Sequence, residues 1–211
     1  MLNRKLKTNI LKDRALKLEA SLLCALLLSA LWSVNSFSAQ CGEIRGKMLR
    51  MHVIANSDSE ADQSLKLKVR DAVLEEGREI FDGSVTADSA EEKITPQLSR
   101  LKETAERVIA EQGFEYKAEV LVCRDFFPTR TYEDSVTLPA GYYTAVKVVI
   151  GEGKGHNWWC VMFPPLCMPA AEADCKIEDV LTEGESDIVK NGEKYRIKFK
   201  VLEICERLFK N

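Results

Sequence analysis

The chain has only two histidines, and they limit the acid–base chemistry that it can support. His156 precedes Cys160 by four residues, a spacing that would allow a nucleophilic Cys/His pair if the intervening loop folded back. No third side chain is placed to orient such a pair, and His52 lies within a predicted strand, where structural histidines are more common than catalytic ones. We therefore predict no catalytic residue and no enzyme activity. A Cys/His-dependent extracytoplasmic enzyme stays open as an alternative.

The sequence also lacks the motifs that bind metals or cofactors, and we predict neither a metal nor a cofactor. No Cys-x-x-Cys pair occurs, so zinc-ribbon and thioredoxin-like sites lack the spacing that they need. The glycine-rich run over residues 151–157 lacks the amphipathic helix that follows a nucleotide-binding loop. We interpret it as a hairpin connection. The acidic residues between positions 172 and 187 predict a solvated face, with calcium binding left open.

Cysteine chemistry points to a disulfide. The chain has seven cysteines, and six remain when Cys24, which lies inside an apolar run, is set aside. An even number permits disulfides in an oxidising compartment. Six residues separate Cys160 from Cys167, and the Pro164-Pro165 pair bends the chain between them. We predict a disulfide between these two cysteines, with two buried free thiols as the alternative.

Residues 158–169 are unusually rich in large apolar side chains, with two Trp, one Phe, two Met, three Pro and two Cys. A strand needs large apolar residues on one face only. Here neighbouring residues are large on both faces, so either both faces are buried or one is an interaction surface. Tryptophan and a proline-stiffened backbone suit protein contacts. The candidate contact residues are His156, Asn157, Trp158, Trp159, Phe163 and Leu166, with Arg130 and Tyr132 of a preceding loop as the next choice.

Hydrophobic periodicity predicts the elements that position these residues. Alternating patterns predict strands over residues 49–55, 114–122, 142–150 and 158–163. Helical spacing and capping-box patterns predict two helices between the first two strands and one C-terminal helix. Pro96 should kink the second helix or delay its start. Residues 124–139 are predicted to be a loop, and residues 176–191 a polar, acidic stretch.

This order of elements, β-α-α-β-β-β-α, describes a single α+β domain over residues 42–211. The prediction is a small mixed or antiparallel sheet of about four strands, packed by about three helices. The last helix is predicted to carry one apolar face, formed by Ile197, Val201, Leu202, Cys205, Leu208 and Phe209.

The amino-terminal residues 1–38 differ from the rest of the chain in charge. They carry six Lys or Arg against two Asp or Glu, a net charge of +4, so the remainder carries −7. Residues 20–32 are all apolar or Ser, and small residues follow, which is typical of a signal peptide or a single-span anchor. The body, residues 42–211, should therefore be extracytoplasmic. The amino-terminal segment would contact a membrane only if it is not cleaved. The acidity of the body argues against nucleic acid as a partner.

Four runs of the body resemble the stage II sporulation protein R family, and the resemblance extends over residues 46–168. The runs are residues 49–59, 62–73, 138–143 and 151–167. The resemblance implies a signalling protein that is made in the forespore and secreted into the space between the forespore and mother-cell membranes, or anchored on the outer face of the forespore membrane. It also implies a partner, a membrane-embedded aspartic protease of the mother cell that processes pro-sigma-E. An exported module that binds the cell envelope is an alternative.

Overall fold

The computed structural model describes residues 2–81, 86–132, 135–166 and 176–209. The chain divides into two compact units, Met1–Gln40 and Cys41–Asn211. The first helix, α1, runs from Leu2 to Gly46, and the large apolar side chains between residues 16 and 32 are exposed. By length and composition alone, the stretch Leu16–Gly46 is suited to cross a membrane, a test that a signal sequence also passes.

A four-stranded mixed sheet forms the centre of the second unit, which confirms the predicted α+β class. The strands are β1 (Leu49–Ile54), β2 (Ala118–Phe127), β5 (Gly141–Ile150) and β6 (Asn157–Phe163). Their order across the sheet is β2-β5-β1-β6, with β1 parallel to β5 and antiparallel to β6. The predicted loop over residues 124–139 instead extends β2 and forms a short hairpin of β3 (Arg130–Tyr132) and β4 (Val136–Leu138).

Helices cover one face of this sheet. They are α2 (Glu60–Phe81), α3 (Ala87–Ile94) and α4 (Leu98–Glu111), and a 3₁₀ turn over Thr95–Gln97 joins the last two. Pro96 lies in that turn, which confirms the predicted interruption, because proline removes a helical N–H donor. The core beneath the helices is almost entirely apolar; it includes Met51, Val53, Leu65, Val69, Val73, Leu101, Ala105, Val146 and Val148.

The predicted polar stretch after residue 176 is helical in the structure, with α5 (Ile177–Val180) and α6 (Glu183–Lys190). Its acidic residues cap and tether these helices. Glu185 is buried, accepts a hydrogen bond from the Thr182 amide at 2.7 Å and receives Lys47 Nζ at 2.5 Å. Burial raises the pKa of Glu185, but the hydrogen bonds from Lys47 and Thr182 lower it more, so this carboxylate stays charged.

The last helix, α7 (Gly192–Phe209), does not present the single apolar face that its sequence predicts. Leu202 and Phe199 are buried, whereas Ile197, Val201 and Leu208 are exposed. Two separate apolar stripes therefore run along this helix.

The glycine-rich loop between β5 and β6 is not a hairpin, which corrects the prediction. Because β1 lies between β5 and β6, the loop crosses the carboxyl end of β1. There the Gly155 amide donates to the Ala55 carbonyl at 2.9 Å, and the His156 amide donates to Asp58 Oδ1 at 2.7 Å. A Cβ atom on Gly155 would lie 2.2 Å from the Ser57 carbonyl oxygen, so only glycine fits at this crossing.

Candidate functional site

The two faces of the sheet carry different residues because side chains alternate along each strand. Met51 and Val53 of β1 point to the face covered by α2, α3 and α4, which we call the helix face. Arg50 and His52 point to the opposite face, which we call the charged face, and both are buried. The candidate site residues Trp159, Arg130 and Tyr132 contact this face.

Arg50 lies in an aromatic cage on the charged face. Its guanidinium carbon lies 4.3 Å from the ring centre of Phe127 and 4.8 Å from that of Tyr143. Tyr132 is the third ring, at 5.4 Å, and its hydroxyl accepts a hydrogen bond from Arg50 Nη2. Nε donates to the carbonyl of Cys160 at 2.9 Å.

Within the described ranges, no carboxylate forms an ion pair with Arg50. Burial lowers the pKa of the Arg50 guanidinium, whereas the neighbouring tyrosines act in the opposite direction. Arginine keeps its charge even when buried, so the aromatic rings and oxygen dipoles must compensate for the lost hydration. Arg50 therefore fastens the β3 hairpin, through Tyr132, to the edge strand β6, through Cys160.

His52 fixes the orientation of Trp159. The two rings stack at a centroid distance of 5.1 Å, and His52 Nε2 lies 3.2 Å from Asp125 Oδ2. Lys147 Nζ donates to the same carboxylate oxygen at 3.1 Å. Burial lowers the pKa of His52 to about 4, although Asp125 acts to raise it. The ring is therefore neutral at neutral pH and plays a structural part.

The two adjacent tryptophans of β6 point to opposite faces of the sheet. Trp159 is half-buried, meets the Phe127 ring edge-on at 4.8 Å and has the Arg130 guanidinium 5.9 Å from its ring centre. Trp158 is 37% exposed, and the Arg70 guanidinium of α2 lies 4.4 Å from its ring centre. Trp159 therefore belongs largely to the packed structure, whereas Trp158 offers a ring to solvent.

A groove of about 370 Å³ brings both predicted contact regions together. We call it the tryptophan groove; its lining residues are Arg130, Thr131, Tyr132, Asn157, Trp158, Trp159 and Leu166. Every one of these except Thr131 is a predicted contact residue. The strip after His156 and the alternative surface around Arg130 are thus parts of one concave site.

Two predicted contact residues lie outside the groove lining. Phe163 is only 2% exposed and packs in the core, so it is a structural residue and not part of an accessible surface. His156 is exposed on the glycine-rich loop, and its Nδ1 lies 2.5 Å from Asp58 Oδ1. The His156 amide and ring hydrogen bonds lower the pKa of Asp58. The carbonyl of His156 accepts a hydrogen bond from Lys66 Nζ at 3.0 Å.

Cys160 is buried and disulfide-bonded, so it offers no thiolate for the alternative Cys/His chemistry. Its predicted partner, Cys167, lies outside the described residues, and that pairing stays a prediction. The free cysteines of the described part are Cys24, Cys41, Cys123 and Cys205. No cluster of His, Cys, Asp and Glu there is arranged to hold a metal ion.

The comparison with protein families decides the assignment. The family model described as stage II sporulation protein R matches residues 45–173, more than half of the chain. The chain belongs to this family. Stage II sporulation protein R of Bacillus subtilis (strain 168) is 37% identical over 124 residues, which are 59% of this chain and 55% of that protein. The chain therefore matches about half the length of this curated relative. No solved structure matches the chain.

The family match runs from the start of the body through β6 and includes Arg50, His52 and the whole groove lining. Arg50 is the principal site residue that the sequence patterns do not single out. The sequence nevertheless contains a pattern that could have identified it, because Arg50 and His52 alternate with Leu49, Met51 and Val53. A strand with apolar residues on one face and two large polar residues on the other indicates either solvent exposure or a second buried layer. The β3 hairpin covers Arg50, so this face of the strand is a second buried layer and is not exposed to solvent.

Proposed function

We propose that this chain is an exported signalling protein that activates a membrane-embedded aspartic protease and thereby leads to the processing of pro-sigma-E. The family match over residues 45–173 carries the proposal. The apolar helix near the amino terminus supports it, because such a helix fits an export signal or an anchor. The protein would act between the forespore and mother-cell membranes, either secreted or held on the outer face of the forespore membrane.

The tryptophan groove is the surface that we propose for the protease contact. It combines a solvent-accessible tryptophan, Trp158, with the exposed cation Arg130, and tryptophan and arginine are the residue types enriched at binding hot spots. Its walls come from β6 and β3, which Arg50 and the Trp159 ring hold in a fixed relation. A rigid concave surface loses little conformational entropy on binding, which favours affinity.

Activation by such a surface requires a difference in affinity and no chemistry from this chain. A ligand shifts a two-state equilibrium only when it binds one state more tightly than the other. We propose that the groove binds the active conformation of the protease more tightly than its resting conformation. The catalytic aspartates would then belong entirely to the protease.

Reconstitution tests the proposal directly. The full chain would be added to vesicles that contain the candidate protease, and cleavage of the pro-protein substrate would be followed over time. Trp158→Ala should weaken activation by roughly thirtyfold, because anchors of this kind contribute about 2 kcal/mol when truncated. Phe126→Ala, a half-exposed aromatic change on β2 at the opposite edge of the sheet, is the matched control and should activate normally.

The results separate the surface from the function. Normal activation by Trp158→Ala and by Arg130→Ala, with melting temperatures unchanged, would show that the contact lies elsewhere. A parent chain that leaves cleavage unchanged would refute the activator role itself. Tight binding of the same chain to purified peptidoglycan, without any effect on the protease, would favour the envelope-binding alternative.

A further inference from the structure

The C-terminal helix α7 exposes an apolar stripe that the proposed protease contact does not use. Its members are Ile197, Val201, Ile204 and Leu208, which are 78%, 37%, 48% and 68% exposed. Their spacing of four, three and four residues places them on one line along the helix, because 3.6 residues complete a turn. The opposite side of α7 carries Phe199, Leu202 and Glu206, which are buried in the domain. The exposed stripe is therefore additional to the face that the fold needs.

Cations flank this stripe on both sides. At 100° per residue, Lys194 and Lys198 fall along one border, and Arg196, Lys200 and Arg207 fall along the other. The nearby acid Glu203, whose side chain is 12% exposed, pairs with Lys200 Nζ at 3.7 Å and with Arg207 Nη2 at 2.8 Å. Lys194 Nζ pairs with Asp187 Oδ2 at 3.1 Å, and the exposed Glu193 lies 3.9 Å from Arg196 Nη1. The five cations outnumber the two acids Glu193 and Glu203 beside the stripe, so an excess of positive charge lies here on a body whose net charge is −7.

An apolar stripe with flanking cations fits an anionic lipid surface better than it fits a second copy of the chain. Pairing two α7 helices would bring the flanking cations of both copies together, and like charges beside a helical seam oppose association. The stripe also covers fewer than two heptads, whereas a stable coiled coil needs about three or four. Apolar residues bordered by Lys and Arg are the pattern of helices that lie in the lipid headgroup region.

We propose that the exposed face of α7 docks on the headgroup region of an anionic lipid bilayer, with the apolar stripe inserted and the five cations against lipid phosphates. An ion pair connects α7 to the residues that follow the apolar amino-terminal run. Arg45, near the end of α1, bridges to Glu206 of α7 at 3.2 Å, and both side chains are nearly buried. A bilayer contact at α7 goes beyond the proposed protease activation and does not depend on it.

A position-specific probe separates α7 from the amino-terminal segment, which is long and apolar enough to cross a membrane by itself. Ile197→Trp places a fluorophore on the stripe of the full chain, and Leu67→Trp on α2 is the matched control at another exposed apolar position. Both variants would be reconstituted into vesicles whose acyl chains are brominated and quench tryptophan on contact. The vesicles would contain phosphatidylcholine alone or with about one third phosphatidylglycerol. The fluorescence of the parent chain, which has three tryptophans, is subtracted.

We expect quenching of the tryptophan at position 197 in the anionic vesicles and none at position 67. Neutralising two flanking cations, with Lys200→Gln and Arg207→Gln, should lower the ratio of docked to undocked helix by about 25-fold, or fivefold for each cation. Lys68→Gln with Lys102→Gln removes the same charge from exposed positions of α2 and α4 and should leave the quenching unchanged. High salt should weaken the docking, because it screens exposed charges.

Three outcomes would overturn the proposal. The first is an unquenched tryptophan at position 197 in anionic vesicles while circular dichroism shows a folded chain. The second is equal quenching in phosphatidylcholine alone, which would mean insertion without recognition of anionic lipid. The third is shielding of position 197 only when the candidate protease is present in the vesicles, which would assign the stripe to a protein partner.

Discussion

The two faces of the four-stranded sheet bury their residues in different ways. On the helix face, Met51 and Val53 pack under α2 and α4 among aliphatic neighbours, and nonspecific hydrophobic burial stabilises the contact. On the charged face, Arg50 and His52 of the same strand are buried among aromatic rings; Arg50 donates to two oxygen atoms, and His52 stacks on Trp159. The first layer tolerates substitutions that preserve volume, whereas Arg50 in the second tolerates only those that preserve its hydrogen bonds.

The difference matters for the candidate site because the tryptophan groove depends on the charged face. Hydrogen bonds and ring contacts have defined directions, so they hold Tyr132 and Trp159 in fixed positions relative to each other. An aliphatic layer would leave those rings with more freedom. The buried polar layer thus lowers the stability of the fold but fixes the shape of the groove.

Arg50→Ala should have the largest effect on stability, about 3–5 kcal/mol. The change leaves the Cys160 carbonyl and the Tyr132 hydroxyl without their donor and opens a cavity between three rings. Arg50→Met, which fills most of the volume, should lose only about half as much. Urea unfolding of the full chain in mild detergent measures both. If Arg50→Ala cost less than Met51→Ala on the helix face, the charged face would not be the more demanding layer.

Trp159→Ala should come next, with a loss of about 2–4 kcal/mol, because the ring packs on His52 and Phe127. Trp158→Ala should lose less than about 1 kcal/mol, because its ring is partly exposed and packs mainly beneath the Arg70 guanidinium. Thermal melting of the two variants side by side checks this. Equal losses would mean that both rings are structural, and the proposed anchor role of Trp158 would fail.

Acid should weaken the charged face first, through His52. Its pKa falls from 6.5 when unfolded to about 4 when folded, so between these values the unfolded chain binds a proton that the folded chain does not. Stability is therefore unaffected above pH 6.5 and falls by up to about 3 kcal/mol as the pH drops toward 4. His52→Phe should remove most of this loss from unfolding curves recorded at pH 7 and pH 4.5. A parent and a variant with the same pH dependence would contradict the assignment to His52.

Arg70→Ala should have the smallest effect, about 0.5–1 kcal/mol, because it removes a cation–π contact at the rim of the helix face. The same variant should increase the exposure of Trp158, which a red shift of tryptophan emission would report. A loss above about 2 kcal/mol would mean that Arg70 supports the packing of the core. Its partly exposed ion pair with Asp71 gives no reason to expect so large a loss.

The helix face was predictable from the sequence, and the charged face was not. The apolar spacing of Leu65, Val69 and Val73 defines a buried helix stripe without knowledge of its partners. Strand alternation at Arg50 and His52, by contrast, is equally consistent with a solvated face. Only the position of the β3 hairpin, fixed by contacts across more than 80 residues, resolves this choice.

The order of strands shows the same limit. Residues 151–157 have the glycine content of a hairpin, yet β5 and β6 are separated in the sheet by β1, which comes about 90 residues earlier in the chain. Local turn chemistry predicts a reversal but not which strands become neighbours. Because β6 and β3 converge on one groove, six of the predicted contact residues lie together, and their role in a contact stays a prediction. The other two are His156, on the loop outside the groove lining, and Phe163, whose burial depends on the same long-range packing.

The central position of β1 also dictates when the domain can fold. Its two neighbours in the sheet are both late segments, and Arg50 takes its carbonyl partner from Cys160, 110 residues further along the chain. In a chain that is threaded across a membrane from its amino end, β1 emerges with no strand to pair with and waits until β5 and β6 have followed. Long-range pairing of this kind is slow and completes late. Under the proposed export, this topology would delay completion of the sheet until β5 and β6 have crossed the membrane.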